Sequence, residues 1–207
     1  MTTTLDLRKD LKHLYLPSAK EPALVDVPSM RFFAIDGAGK PGGERFQGAI
    51  QALFTMAYSV RFAAKKRLDL DYPVMASEGL YWNVDGGPLT LEDGPDKMAW
   101  TLQLMLPDQV PSEFVEEVRA EAAAKGKGGP SLGEVKLRTF AEGLSVQVMH
   151  IGPYDTETAT MERLVAFAAE RGYEITGRHH EIYIGDPNRT KPEKLKTALR
   201  YGVTKIA

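Results

Sequence analysis

The sequence contains no cysteine, which excludes disulfides, thiolate nucleophiles and thiolate metal sites together. It has no apolar run of membrane-spanning length, and its opening, MTTTLDLRKDLKHLYLPS, lacks a signal-type apolar stretch. A cytoplasmic protein without a membrane partner is the expectation. Charge of one sign is missing too. With 26 Lys plus Arg against 28 Asp plus Glu, the formal net charge is −2 and the pI is near 6.1, so nothing points to direct nucleic-acid binding. The four histidines show no H-E-x-x-H spacing and the aspartates no calcium-loop spacing; neither a metal site nor a cofactor is expected. GAGKPGG at 37–43 has Pro41, not Ser or Thr, after Lys40, so it reads as a turn and not as a phosphate loop. No G-x-S-x-G elbow ties a serine to a base.

What is present is a chain of 207 residues, 43% apolar and 26% charged, able to bury a substantial core. Residues 1–22, broken by Pro17 and Pro22, read as an irregular or short helical arm. A strand around 30–36 ends in glycines, and from Arg45 to Arg67 the apolar residues Phe46, Ile50, Leu53, Ala57, Val60 and Ala64 recur at helical spacing. A second line, Phe54, Tyr58 and Phe62, adjoins them, which predicts a helix covered on more than one side. Strand patterns follow at 71–84 and 97–107 around a turn at DGGP, then a helix from Pro111 to Gly126. The glycine-rich stretch 126–131 is the linker candidate.

After it the order of elements recurs: a strand ending at Gly152-Pro153, a helix from Asp155 to Gly172, a strand at HHEIYIGDP, and a closing segment with Thr190 and Glu193 in capping-box register. The expectation is one domain, 23–207, made of two related modules of about 23–125 and 132–207. Their sheets, each covered by helices on one face, would make an α+β fold and meet over a groove.

Strand periodicity sets His179, Glu181 and Tyr183 on one face of HHEIYIGDP, with Ile182 and Ile184 on the other. Glu181 is either a solvent-facing strand residue or a carboxylate in an aromatic cleft, where it serves as a base or meets a cation. Glu78 poses the same choice in the first half, sharing parity with Trp82, and the two carboxylates are expected to converge on the module boundary. Trp82, Trp100, Tyr58 and Phe62 are core residues or cleft walls. His150, before GPY, is a hydrogen-bonded structural residue or a ligand contact. His179 and His180, being adjacent, face opposite ways.

The stretches DLRKDLKHLY (6–15), VDVPSMRFFAIDGAGKP (25–41), YPVMASEGLYW (72–82), HIGPYDTETATMERL (150–164) and HHEIYIGDP (179–187) resemble the GyrI-like small-molecule-binding family, in its stand-alone branch. The resemblance implies a pseudo-two-fold pair of strand-helix-strand-strand modules around a central cleft. Related regulators add a DNA-binding helical domain and bind bulky, often cationic drugs; the 22 residues ahead of this module are too few for one. The family's ligand-facing acid falls on Glu181 and its strand-end aromatic on Tyr183. An EGLWW-like pattern falls on Glu78 to Trp82, with Tyr81 in place of one tryptophan.

Some proteins of this branch are similar to cyclopropanoid hydrolases, which add water to the strained ring of DNA-alkylating compounds. That implies Glu181 as the water-orienting base, with Tyr183, Tyr154 and Trp82 holding the ligand and no metal. Detoxification and multidrug binding are the implied roles. Two alternatives stand beside this: a module that sequesters hydrophobic or cationic small molecules without turnover, and a protein-interaction module of the gyrase-modulating kind, which would show an exposed apolar patch.

Overall fold

The structure, a computed structural model, describes residues 2–87 and 94–206. In chain order its elements are β1 (Thr3–Thr4), α1 (Leu7–Asp10), α2 (Lys12–Tyr15), β2 (Ala23–Val27), β3 (Met30–Ala38), α3 (Glu44–Arg67), β4 (Leu70–Asp71), β5 (Ser77–Asn83), β6 (Met98–Leu106), α4 (Ser112–Ala124), β7 (Lys136–Phe140), β8 (Gly143–Ile151), α5 (Thr158–Glu170), β9 (Tyr173–Ile175), β10 (His179–Tyr183) and β11 (Lys196–Lys205). Of the DGGP turn, Asp85 to Gly87 follow β5 and Pro88 lies outside the described residues.

Apart from β1 and β4, which pair in parallel as a separate two-stranded sheet, the strands form one large antiparallel sheet in the order β2-β8-β11-β10-β5-β6-β3-β7, with β9 on β11. With the helices it makes a mixed α+β fold, and in place of two sheets meeting across a gap there is a single continuous ladder. β10 and β5 join directly at its centre. At the edges the halves interleave: β2 pairs β8, and β7 pairs β3. The closing segment is another departure. Thr190 and Glu193 head no helix; a short 3₁₀ turn at 192–194 leads into β11. Thr197, Leu199, Tyr201 and Val203 alternate there with Ala198 and Arg200, and the paired backbones of β8 and β10 on either side favour the strand over the local capping signal.

α3 lays Leu53, Met56, Ala57, Val60 and Ala64 onto the sheet, in the same core as Phe33, Ile35, Trp100, Leu102 and Leu104. Burying each large apolar side chain contributes about 1.5–3 kcal/mol. α5 covers the other half through Leu164 and Ala168 against Val146, Val148, Leu199 and Tyr201. α4 packs beside α3. The stretch at 126–131 runs into a 3₁₀ turn whose Ser131 and Leu132 are buried. Among the described residues, no helix is long and apolar enough to cross a membrane.

Candidate functional site

Cross-strand partners in an antiparallel sheet share a face, so the register fixes which side chains meet. One row reads Ile35, Leu102, Gly79, Glu181, Leu199, Val148; the next reads Phe33, Leu104, Ser77, Tyr183, Thr197, His150. Trp100, Tyr81 and His179 make a third, and His179 lies 5.2 Å from the Tyr201 ring, centre to centre. Phe46 of α3 meets the edge of Trp100, and α5 sits on Leu199 and Val148, so both helices lie on this face. α3 packs on β3 and β6, α5 on β8 and β11. Between the two footprints lie β5 and β10, which carry Tyr81, His179, Glu181 and Tyr183 on this face, the floor of the candidate groove.

On that floor His179 Nε2 donates to Glu181 Oε1 at 2.9 Å, and the Tyr81 and Tyr183 hydroxyls are hydrogen-bonded to each other. The Tyr154 ring stands edge-on to Tyr183 at 5.7 Å and is 41% exposed, at the open side. Burial, reinforced by the Glu181 charge, holds the phenols of Tyr81, Tyr183, Tyr154 and Tyr201 above their ordinary value. All four therefore stay neutral hydroxyls near pH 7. Gly79 makes this packing possible, because a Cβ there would lie 2.6 Å from the Tyr81 ring and hydroxyl. Its missing side chain is the slot in which Tyr81 lies while reaching Tyr183.

Glu157, just ahead of α5, completes the group. It is 4% exposed, and its Oε1 has no hydrogen-bond partner among the described residues. Burial, then the Glu181 charge, pushes its carboxyl up to about 9, with the Thr197 hydroxyl opposing in part. Ligand atoms of Glu157, His179 and Glu181 lie within 4.8 Å of one another. His179 Nδ1 is buried without a hydrogen-bond partner among the described residues, and a metal ion there would also need a proton taken from Glu157. The surrounding tyrosine rings instead suit an organic cation, drawn by carboxylate and ring faces together.

The sequence-derived candidates divide. Glu181, Tyr183 and Tyr154 come together. His150 lies under the turn that carries Tyr154: Nδ1 pairs with the Thr160 hydroxyl at 2.9 Å and Nε2 with the Pro153 carbonyl at 3.2 Å, so both ring nitrogens hold structure. Gly152, at φ 145°, lets the chain turn tightly over that ring. Tyr58 and Phe62 stack with Phe54 along α3 and are 45% and 58% exposed, so of the second apolar line only Phe54 packs against the core and the rest is uncovered, contrary to the helix pattern. Trp100 is fully buried in the core under α3, away from solvent.

Glu78 and Trp82 are not on this face. Glu78 is the cross-strand partner of Ile182, one residue out of phase with Glu181, so the expected convergence of the two carboxylates is corrected by the register. Trp82 shares that opposite face and lies under the Arg178 guanidinium at 3.5 Å. Glu78 accepts hydrogen bonds from Tyr15, from Gln103 at 2.9 Å and from His180 Nε2 at 3.1 Å. His180 Nδ1 reaches Glu142 at 2.9 Å, and Arg200 joins Glu142 at 3.2 Å to Gln147 and to the Leu14 carbonyl. This buried network fastens the N-terminal arm to the back of the sheet. Two concavities of about 470 Å³ also lie off the groove, one between α4 and the 130–134 turn, the other behind the sheet around Arg138, Glu142 and Arg178.

Tyr81 and Glu157 are the residues sequence reasoning missed. Parity already set Tyr81 apart from Glu78, but only pairing shows that this points it toward Glu181. Glu157 sits in a helical stretch where acidic residues are common.

Residues 101–202 match the GyrI-like small molecule binding domain. An uncharacterized conserved protein from Listeria innocua is 38% identical, with 97% of this chain and all of that chain covered and a TM-score of 0.88. Two hydrolases from Listeria innocua are 35% and 34% identical, covering 97% and 98% of this chain and all of theirs, with TM-scores of 0.85 and 0.87. The EcmrR C-terminal domain shares the fold at 16% identity, covering 90% of this chain and 98% of that one, with a TM-score of 0.56. No curated protein matches. The chain thus carries a GyrI-like small molecule binding domain over residues 101–202 and shares its whole fold with these Listeria innocua proteins.

Proposed function

We propose that the groove binds small hydrophobic aromatic or cationic compounds and opens the strained ring of cyclopropanoid electrophiles by adding water. The observation that carries this reading is the Glu181 carboxylate set among Tyr81, Tyr154 and Tyr183 between α3 and α5. A flat ligand stacks on the rings, and a positive centre or a polarised water meets the carboxylate. Likeness to two hydrolases supports the catalytic half. The same reading takes 1–22 as an arm and 23–207 as two strand-helix-strand-strand modules, about 23–125 and 132–207 around 126–131, with β5 and β10 at their seam.

In ring opening, Glu181 accepts a proton as the water oxygen bonds to the ring methylene. The strained carbon–carbon bond breaks, and its electron pair moves into the conjugated carbonyl. The oxygen bearing that charge takes a hydrogen bond from the Tyr183 or Tyr154 hydroxyl and then a proton from solvent, while Glu181 returns its own to solvent. Tyr58 and Phe62 extend the wall for a ligand long enough to reach α3.

The test is multiple-turnover hydrolysis of a cyclopropane-containing DNA-alkylating compound, followed by mass spectrometry with native protein and Glu181→Gln. Water addition over many cycles, lost in the variant while binding persists, is the expected result. Binding without product in the native protein would remove the catalytic half and leave sequestration.

A further inference from the structure

Glu157 is a buried carboxyl with a free oxygen, held close to Glu181 and His179. The groups facing it are Glu181, His179 and Tyr183 of β10, Tyr81 of β5, Thr197 and Tyr201 of β11, and Tyr154 of the preceding turn. None of these is a permanent cation. The buried Thr197 hydroxyl lies next to the Glu157 carboxyl and offsets its shift only in part. Two carboxylates this close cannot both ionise without a positive charge between or beside them. His179 is the one group of this set that can take up a positive charge, and with its imidazole neutral the pair is one cation short.

We propose that Glu157 is a second ligand-facing carboxyl, neutral in the empty groove, which ionises when a ligand brings two positive charges, so that the groove takes flat aromatic dications with release of one proton. The inference rests on the binding half of the function proposed above and is independent of ring opening. A monocation is met by Glu181 alone. With the Glu157 carboxyl held near 9, about one molecule in a hundred carries both charges at pH 7. A second positive centre about 4 Å from Glu157 in these poorly hydrated surroundings outweighs that hundredfold bias.

The experiment is isothermal titration of the full chain at pH 7 in two buffers of different ionisation enthalpy, so that bound or released protons are counted. The probes are methyl viologen, a dication, and 1-methyl-4-phenylpyridinium, a monocation of nearly the same shape; neither has a proton to lose. Native protein is expected to release about one proton per viologen and almost none with the monocation, whereas Glu157→Gln releases none with either. Viologen affinity of the native protein should rise by up to about tenfold per pH unit from pH 7 to 9, and that of the variant should stay flat.

Viologen binding without proton release, or with equal release from Glu157→Gln, overturns the inference, as does proton release on adding zinc but not viologen. Failure of both organic cations to bind overturns the groove reading and this inference with it. Carbon-13 NMR of glutamate carboxyls in the native protein gives the same answer without a variant: one carboxyl signal must move to the ionised position on viologen binding.

Discussion

Gly79 decides how closely Tyr81 can lie against the groove floor. Gly79→Ala puts a methyl group where the Tyr81 ring now rests, so the ring must swing away and the Tyr81–Tyr183 hydroxyl contact is lost. The expected cost is about 1–3 kcal/mol of overpacking, read as a lower urea midpoint, together with weaker binding of aromatic ligands. An unchanged midpoint would show that Tyr81 has another place to go. Tyr154 behaves differently because it stands at the open side: Tyr154→Ala should leave stability within about 0.5 kcal/mol and weaken aromatic ligand binding, a pair of results that separates wall from core. His150→Ala should do the reverse, loosening the 153–160 turn that it ties down.

At the scale of elements, the back of the sheet explains why so many polar side chains are buried near β10 without joining the groove. Glu78, His180, Glu142 and Arg200 form a chain of charge-assisted hydrogen bonds ending on the Leu14 carbonyl and, through Gln147, on that of His13. Glu142→Ala leaves Arg200 and His180 buried beside an empty acceptor site. It should destabilise the fold by about 3–5 kcal/mol and speed amide exchange at residues 12–16; normal exchange there would show that the arm is held by Leu14 and Tyr15 packing alone.

The two faces of β10 also show what sequence could and could not tell. The alternation in HHEIY was enough to separate His179, Glu181 and Tyr183 from His180 and Ile182. The same alternation in SEGLYW separated Glu78 and Trp82 from Tyr81. Nothing in either string tells which set of one strand faces which set of the other, because that depends on a pairing register across about a hundred residues. A one-residue difference in register exchanges Glu78 for Gly79 opposite Glu181. Helix α3 and the pair β5–β6 were legible because their apolar periods are long. β11 was masked by a capping signal and by Lys and Arg at positions where only the paired strands make a strand favourable.

For the whole molecule, two buried groups make stability depend on pH in one direction. Burial alone would lower the His180 pKa, but the Glu142 and Glu78 carboxylates raise it to about 9. Its stabilisation is thus complete below the unfolded histidine value near 6.5 and is lost as the pH rises through 9, on the order of 3 kcal/mol. Glu157, raised to about 9, adds to this decline: the folded chain keeps a proton that the unfolded chain releases near 4.5, so stability falls as pH rises between those values. Glu142 is displaced the other way: burial opposes its charge, but His180 and Arg200 hold its carboxyl below the ordinary value, so its contribution is lost on acidification. Urea midpoints should therefore fall steadily from pH 6 to 9.5, less steeply in Glu157→Gln. A midpoint that rises over that range would contradict the buried network.

The claim on which the rest depends is that ligands lie on the Glu181 face of the sheet, between α3 and α5, and not on the Glu78 and Trp82 face. Equilibrium binding of 1-methyl-4-phenylpyridinium to native protein, Glu181→Gln and Trp82→Ala tests it most directly. Loss of the charge partner at Glu181 should weaken binding about tenfold or more, since a desolvated ion pair and cation–π contact are each worth a kcal/mol or more, while Trp82→Ala binds as the native protein does. Equal weakening in Trp82→Ala, or undiminished binding in Glu181→Gln, would contradict it.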